Sequence, residues 1–304
     1  VHLTAATRAL PIDVEADGAQ AARPTRYAWI AFALTYALMM SDYMSRQVMI
    51  AVFPFIKAEW ALSDTQLGSL VSIVALTVGI LIIPISLIAD RVGRVRSITA
   101  MALVWGLATI ACGLTGNFIA LLIARAALGL GEAGYGSAGG AILLQVFPTR
   151  MHSTVLGSFL SGSLFGSVIG LAAGGVLAQH GGWQKAFMLV GAFGLVLAFV
   201  FPLIVKEPPA RSGTPAARLP MKQVARALLT SRTAVCVYLG LGATMFAQGA
   251  VIAWASSYFN RYLAMDPADA AKHAGVLAVC SGIGMIGGGY VVDRLSRNDK
   301  RNRL

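Results

Sequence analysis

The chain has 304 residues, of which 57% are hydrophobic and 12% charged, where a soluble domain carries about 25% charged residues. The formal net charge of +11 would suit nucleic acid, but no basic face interleaved with stacking aromatics is present, so that class is excluded. The three cysteines, Cys112, Cys236 and Cys280, all fall in apolar runs and read as small buried residues, not as a disulfide framework.

Residues 1–26 mix Asp13, Glu15 and Asp17 with Arg8, Arg23 and Arg26. They lack the apolar core of a signal peptide and read as a disordered cytoplasmic tail. Uncharged runs then recur at 65–89, 97–124, 151–184, 186–205, 233–260 and 273–292. A bilayer-spanning helix needs about 20 apolar residues, so each run is long enough to cross. Six of them argue against one very large soluble core. Divided at charges and turn residues, the chain predicts eight helices, at about 27–52, 66–89, 97–115, 118–146, 153–178, 186–205, 232–258 and 273–292. The third and fourth are separated by the turn "GLTGN" at 113–117. The predicted fold class is an all-α integral membrane bundle.

Orientation follows from lysine and arginine. The amino-terminal tail, the loops after the second, fourth and sixth spans, and the carboxyl-terminal tail hold 18 of these residues. The opposite loops hold four: Lys57, Lys185, Arg261 and Lys272. That asymmetry predicts that both ends lie in the cytoplasm. The basicity is therefore topological.

Four ionisable residues fall inside predicted spans: Asp42 and Arg46 in the first, Arg125 and Glu132 in the fourth. Unpaired at mid-bilayer, each costs about 2.5–3.5 kcal/mol, on the order of 10 kcal/mol together. They should face the bundle interior or water, and should pair. Asp42 and Arg46 are i,i+4 and share a helix face. Arg125 and Glu132 lie near one meridian but about 10 Å apart along the axis, too far to pair with ease. Static ion-pair glue is one reading, although Ser or Asn would make cheaper glue. In the functional reading Glu132 binds a proton, with Asp42 as its partner or rival, and Arg46 and Arg125 hold an anionic group. Burial favours the neutral carboxyl and a nearby guanidinium the charged one, so a moving arginine would gate proton uptake.

The stretch Ser86-Leu-Ile-Ala-Asp90-Arg91-Val-Gly93-Arg94 recurs as Gly289-Tyr-Val-Val-Asp293-Arg294-Leu-Ser-Arg297, 203 residues later. The same shift lays spans 1 and 2 on spans 7 and 8, the kind of internal duplication from which transporters are built. With Asp90-Arg91-x-Gly93-Arg94-x-Arg96, "RAALGLGEAGYG" (125–136), "GGWQKAF" (181–187) and "KEPP" (206–209), the chain resembles the major facilitator superfamily over residues 27–297. Within it, "SRQVMIAVFPFIKAEWALSDTQLGSL" (45–70) and the Arg125…Glu132 pattern look most like the organic anion symporter and Spinster-like branches. Members often carry an acid directly before the first-helix arginine. Here Ser45 stands there, with Asp42 one turn earlier.

The resemblance implies twelve helices in two six-helix halves. It divides the chain into a tail (1–26), a six-helix bundle (27–205), a linker (206–231), two helices of a second half (232–293) and a basic tail (294–304). The chain begins at Val1 and the shift carries spans 3–6 beyond residue 304. It therefore reads as a fragment or a truncated gene product, and these residues alone are not expected to transport. The resemblance also implies that helices 1 and 4 line a central cavity, with Gln248, the repeat equivalent of Ser45, as a candidate lining residue. It implies a conformational clasp of Asp90, Arg91, Gly93, Arg94, Asp293 and Arg294 that bonds neighbouring helix ends in the outward-open state. A plain positive-inside stop signal explains part of that charge, but aspartate adds little to topology.

Gly162, Gly166, Gly170 and Gly174 form a four-residue ladder on the fifth span, a flat face for close helix packing, with helix sliding as a second reading. Two G-x-G-x-x-G matches, at Gly129 and Gly282, follow no strand, so the dinucleotide reading fails. Histidines lie in the tail or at loop edges, and neither a metal nor another cofactor is expected. The expected function is secondary transport, proton-coupled, of a small organic anion, a carboxylate or an amphiphile, across a bacterial-type inner membrane. A transporter-derived receptor or sensor, or a non-functional truncated transporter, is the alternative. No nucleophile–base set suggests an enzyme.

Overall fold

The computed structural model describes residues 24–207, 230–265 and 267–298. Most of the expected tail, the linker and the carboxyl-terminal tail lie outside the described residues. The helices are α1 (Arg26–Trp60), α2 (Asp64–Val92), α3 (Arg94–Leu114), α4 (Phe118–Glu132), α5 (Tyr135–Val146), α6 (His152–Gly181), α7 (Trp183–Ile204), α8 (Arg232–Tyr262) and α9 (Pro267–Asn298). Every regular element among the described residues is helical, as the bilayer demands of a backbone with no water to bond.

The helices outrun the uncharged segments because polar caps extend them. Ser63 accepts from the Gln66 backbone N–H at 3.2 Å while the Gln66 side chain accepts from the Ser63 N–H at 2.9 Å. This capping box starts α2 at Asp64, two residues before the predicted start at 66. Asn117 likewise caps α4 through the Ala120 N–H, at 2.8 Å. Among the described residues, six stretches are long and apolar enough to cross a membrane: Asp64–Ala89, Arg94–Leu114, Phe118–Val146, Thr149–Gly181, Trp183–Ile204 and Gly275–Leu295. α1 and α8, of 35 and 31 residues, are the other two long helices, and α1 carries the first-span charges.

The fourth span departs from expectation. It is not one helix but two, broken at Ala133 and Gly134, where Gly134 adopts φ +96°. Its apolar run gave no sign of the break, because glycine costs an α-helix only about 1 kcal/mol and does not by itself end one.

Outward faces are apolar, with Ile80, Ile83, Phe199 and Leu203 all more than 60% exposed, as suits lipid contact. Cys112 is buried, whereas Cys236 and Cys280, expected inside, are free thiols on exposed surface. Interior helices meet through glycine. On α6, Gly162 faces Tyr36, Gly166 faces Met40, Gly170 faces Met44 and Gly174 faces Val48. The two helices run parallel with one four-residue step matching the other. A Cβ on Gly166 would lie 2.5 Å from the Met40 carbonyl oxygen, so backbone touches backbone. α7 meets α3 the same way at Gly191 and Gly106. α9 packs along the first half of α6, where a Cβ on Gly157 would lie 2.5 Å from the Met285 carbonyl oxygen.

Candidate functional site

α1 and α4 bring three of the four intramembrane charges to one point. The Arg46 guanidinium lies 2.8 Å from a Glu132 carboxylate oxygen and 3.6 Å from Asp42 Oδ1. Asp42 and Glu132 therefore address one guanidinium from α1 and from α4. Both acids are buried, while the Arg46 side chain keeps 27% of its surface open. Arg46 therefore looks out of the protein while its counter-ions look in. Its guanidinium carbon lies 5.1 Å from the centre of the Tyr43 ring, three residues earlier on the same helix face. Neither Glu132 oxygen receives a well-aligned hydrogen bond among the described residues. The pair is held by charge and proximity, a contact that a competing ion can replace.

Arg125 belongs to the same region but performs a different task. It is 1% exposed, and its Nε donates to the Leu70 carbonyl at 3.1 Å while a terminal nitrogen donates to the Ser45 carbonyl at 3.3 Å. It ties α4 to α2 and to the turn of α1 that carries Arg46. Both of these bonds run to backbone carbonyls. Of the expected four-charge network, Asp42, Arg46 and Glu132 pair directly, and Arg125 joins them through that Ser45 peptide.

A second polar layer lies next to this cluster. Tyr135, at the start of α5, donates to the Thr35 carbonyl at 2.5 Å, and its ring meets Trp105 edge-on at 5.1 Å. The break at Gly134 is what aims Tyr135 at α1. Toward the open side, Gln47 donates to the Ser167 hydroxyl at 3.5 Å, joining α1 to α6.

The two copies of the repeated motif sit at the ends of α2 and α9. Asp293 closes onto the first turn of α6. Its carboxylate accepts from the Ser153 N–H at 3.1 Å, the Thr154 N–H at 2.7 Å and the Thr154 hydroxyl at 2.6 Å. An anion at a helix amino-terminus is stabilised by unpaired N–H groups and the helix dipole. Arg294 beside it is exposed. Asp90 and Gln248 fall outside the residues whose side chains are described. Gly93 makes the α2–α3 turn at φ +110°, a conformation that favours glycine. Arg91 is exposed, and Arg94 donates to the Ala141 carbonyl at 3.4 Å.

One residue that sequence reasoning quoted but gave no role is Glu207. Its carboxylate accepts from the Arg94 N–H at 2.7 Å and the Val95 N–H at 2.9 Å, capping α3 as Asp293 caps α6. The adjoining Lys206 N–H donates to the Tyr27 hydroxyl at 3.0 Å. The chain leaving α7 is thereby pinned to the starts of both α1 and α3. Its only signal was an acid in "KEPP" directly after an apolar span.

Membrane-length helices wrapped around a buried, ion-paired polar core define a multi-pass α-helical membrane protein. Residues 35–304 match the Major Facilitator Superfamily, and the chain belongs to it. It is 25% identical to the hexuronate transporter of Bacillus subtilis over 266 residues, 86% of this chain and 63% of that one. It is 24% identical to the probable L-galactonate transporter of Escherichia coli over 299 residues, 93% of this chain and 66% of that one. A crystal structure of a bacterial homolog of the human lysosomal transporter Spinster, inward-facing and occupied, superimposes with a TM-score of 0.66 at 26% identity. That match covers 90% of this chain and 62% of the other. The chain thus spans less than two thirds of the length of these relatives.

Proposed function

We propose that the protein to which this chain belongs is a secondary active transporter that carries a small organic anion by alternating access, coupled to protons. The observation that carries the reading is Arg46, partly open on one side and ion-paired on the other to two buried acids from different helices. A buried salt bridge adds little net stability, so holding three charges at bilayer depth calls for another reason. A solute carboxylate suits the guanidinium, which offers paired donors in a fixed plane. The names of the two sugar-acid relatives point to the same solute class.

Coupling follows from the carboxyl pair. Asp42 and Glu132 share one guanidinium, so a proton taken by either loosens the hold on Arg46, and the two carboxyls act as a single proton site beside it. Protonation of Glu132 releases the guanidinium to the solute, and loss of that proton to the other side restores the carboxylate, which reclaims the guanidinium as the solute leaves. Arg125 keeps the α1 turn in register while this exchange happens. Residues 27–205 form one half of the transporter, 206–231 the linker and 232–293 the opening of the second half. Both ends of the chain, on this reading, face the cytoplasm of a bacterial-type inner membrane, as the 18-to-four division of basic residues supports.

The test is uptake by the full-length protein in proteoliposomes, with hexuronate, galactonate and other organic anions as solutes. An inward proton gradient should drive accumulation. Glu132→Gln should abolish acceleration by the gradient while leaving counterflow exchange. Arg46→Lys should raise KM at least tenfold. Gradient-driven accumulation by Glu132→Gln at the wild-type rate would refute the proton assignment. Absence of solute movement under every ion gradient would instead favour a receptor.

A further inference from the structure

The α2–α3 turn opens a wedge on the outer flank of the bundle, away from the Arg46 site. Glycines two residues apart on α4 create it. A Cβ on Gly129 would lie 2.9 Å from the Val74 carbonyl oxygen of α2, and one on Gly131 would lie 2.5 Å from the Trp105 backbone nitrogen of α3. α2 and α3 are drawn onto opposite flanks of α4, leaving Leu130 between them and 45% exposed. From Leu130 to the turn runs a crevice of about 220 Å³, walled by Ile85, Ile88 and Val92 on one side and by Ala100 and Val104 on the other. Its walls are apolar over about two helical turns, roughly 10 Å. Arg96 stands at the end nearest the turn. It is exposed and makes no hydrogen bond or ion pair among the described residues.

We propose that this crevice is a binding site for an anionic phospholipid, with one acyl chain between α2 and α3 and the phosphate on Arg96. An apolar slot ending in an unpaired cation, at the rim of a bilayer, matches one molecule with a hydrocarbon tail and an acidic head. Basic pockets between membrane helices recognise anionic headgroups by the same charge logic. A protein helix about 10 Å across and two turns long would fill several times the crevice's volume of about 220 Å³. A soluble anion would leave its walls uncovered, and a neutral lipid would leave Arg96 without a counter-ion. The site is independent of the solute assignment and survives its failure.

The experiment uses the full-length protein, stripped of lipid in a neutral detergent and titrated with phosphatidylglycerol, phosphatidylcholine or inorganic phosphate. Native mass spectrometry reads retained lipid, and thermal unfolding reads stabilisation. Wild type should retain phosphatidylglycerol in preference to phosphatidylcholine. Arg96→Gln should cut phosphatidylglycerol retention roughly fivefold, the scale of one basic side chain at an anionic surface, with phosphatidylcholine unchanged. Ala100→Trp, at an exposed wall position, should lower retention of both lipids, and Val104→Trp serves if that variant fails to fold. Equal retention of the two lipids by wild type would overturn the proposal. So would unchanged preference in Arg96→Gln, unchanged retention in a folded wall variant, or stabilisation by phosphate alone equal to that by lipid.

Discussion

Gly166→Ala measures the α1–α6 contact directly. The new methyl carbon would be built 2.5 Å from the Met40 carbonyl oxygen and 2.8 Å from its Cα. Those atoms are backbone in the middle of a helix, so they cannot turn aside as a side-chain tip would, and the helices must separate. Overpacking of this kind costs about 1–3 kcal/mol. Alanine also favours the helix over glycine by about 1 kcal/mol, which would mask part of the loss. Gly175→Ala supplies the correction, because Gly175 lies on the same helix with nothing within 4 Å of its Cβ position. Both substitutions gain the propensity, and only one meets α1. In detergent, the apparent melting temperature of Gly166→Ala should fall below that of Gly175→Ala by roughly 2–8 °C. A Gly166→Ala protein melting at or above the Gly175→Ala protein would refute the backbone-to-backbone contact.

Arg125→Lys should lower the melting temperature more than Arg46→Lys. One ammonium cannot serve the Leu70 and Ser45 carbonyls together, and losing one buried hydrogen bond from a charged donor costs about 1.5–3 kcal/mol. Equal melting of the two variants would contradict the assigned roles. Glu207→Ala should speed amide hydrogen exchange in the first turn of α3, since losing a cap costs about 0.5–2 kcal/mol, while Glu207→Gln should do so less. Asp293→Ala should shift the α6–α9 docking equilibrium roughly 2- to 30-fold toward separation. Spin-label distances between the exposed positions Leu160 and Ile283 report it, and an unchanged distribution would show that the cap does not hold the two helices together.

What the sequence disclosed was governed by local physics. Uncharged runs locate the spans because hydrocarbon excludes charge, and Asp42 and Arg46 pair because four residues make one helical turn. The glycine ladder was legible as a face, though its partner was not. Three features escaped for a shared reason: they depend on backbone groups far away in the chain. Arg125 bonds carbonyls 55 and 80 residues away. Glu207 bonds amides 113 and 112 residues away. No spacing rule marks a peptide group as a partner. The break at Gly134 escaped because its flanking residues are compatible with an unbroken helix, and what decides is the aim of Tyr135 at the Thr35 carbonyl.

The matched ladders of α1 and α6 behave as a toothed rack. With α1 backbone or bulky side chains seated in four successive notches, neither rod can creep past its neighbour by an ångström. The next seated register lies a whole pitch away, about 5.4 Å. The ladder that invited a sliding interpretation thus forbids it. α1 and α6 must travel as one piece, and any rocking has to be taken up at other seams, such as the one against α9 that Asp293 bolts at one end.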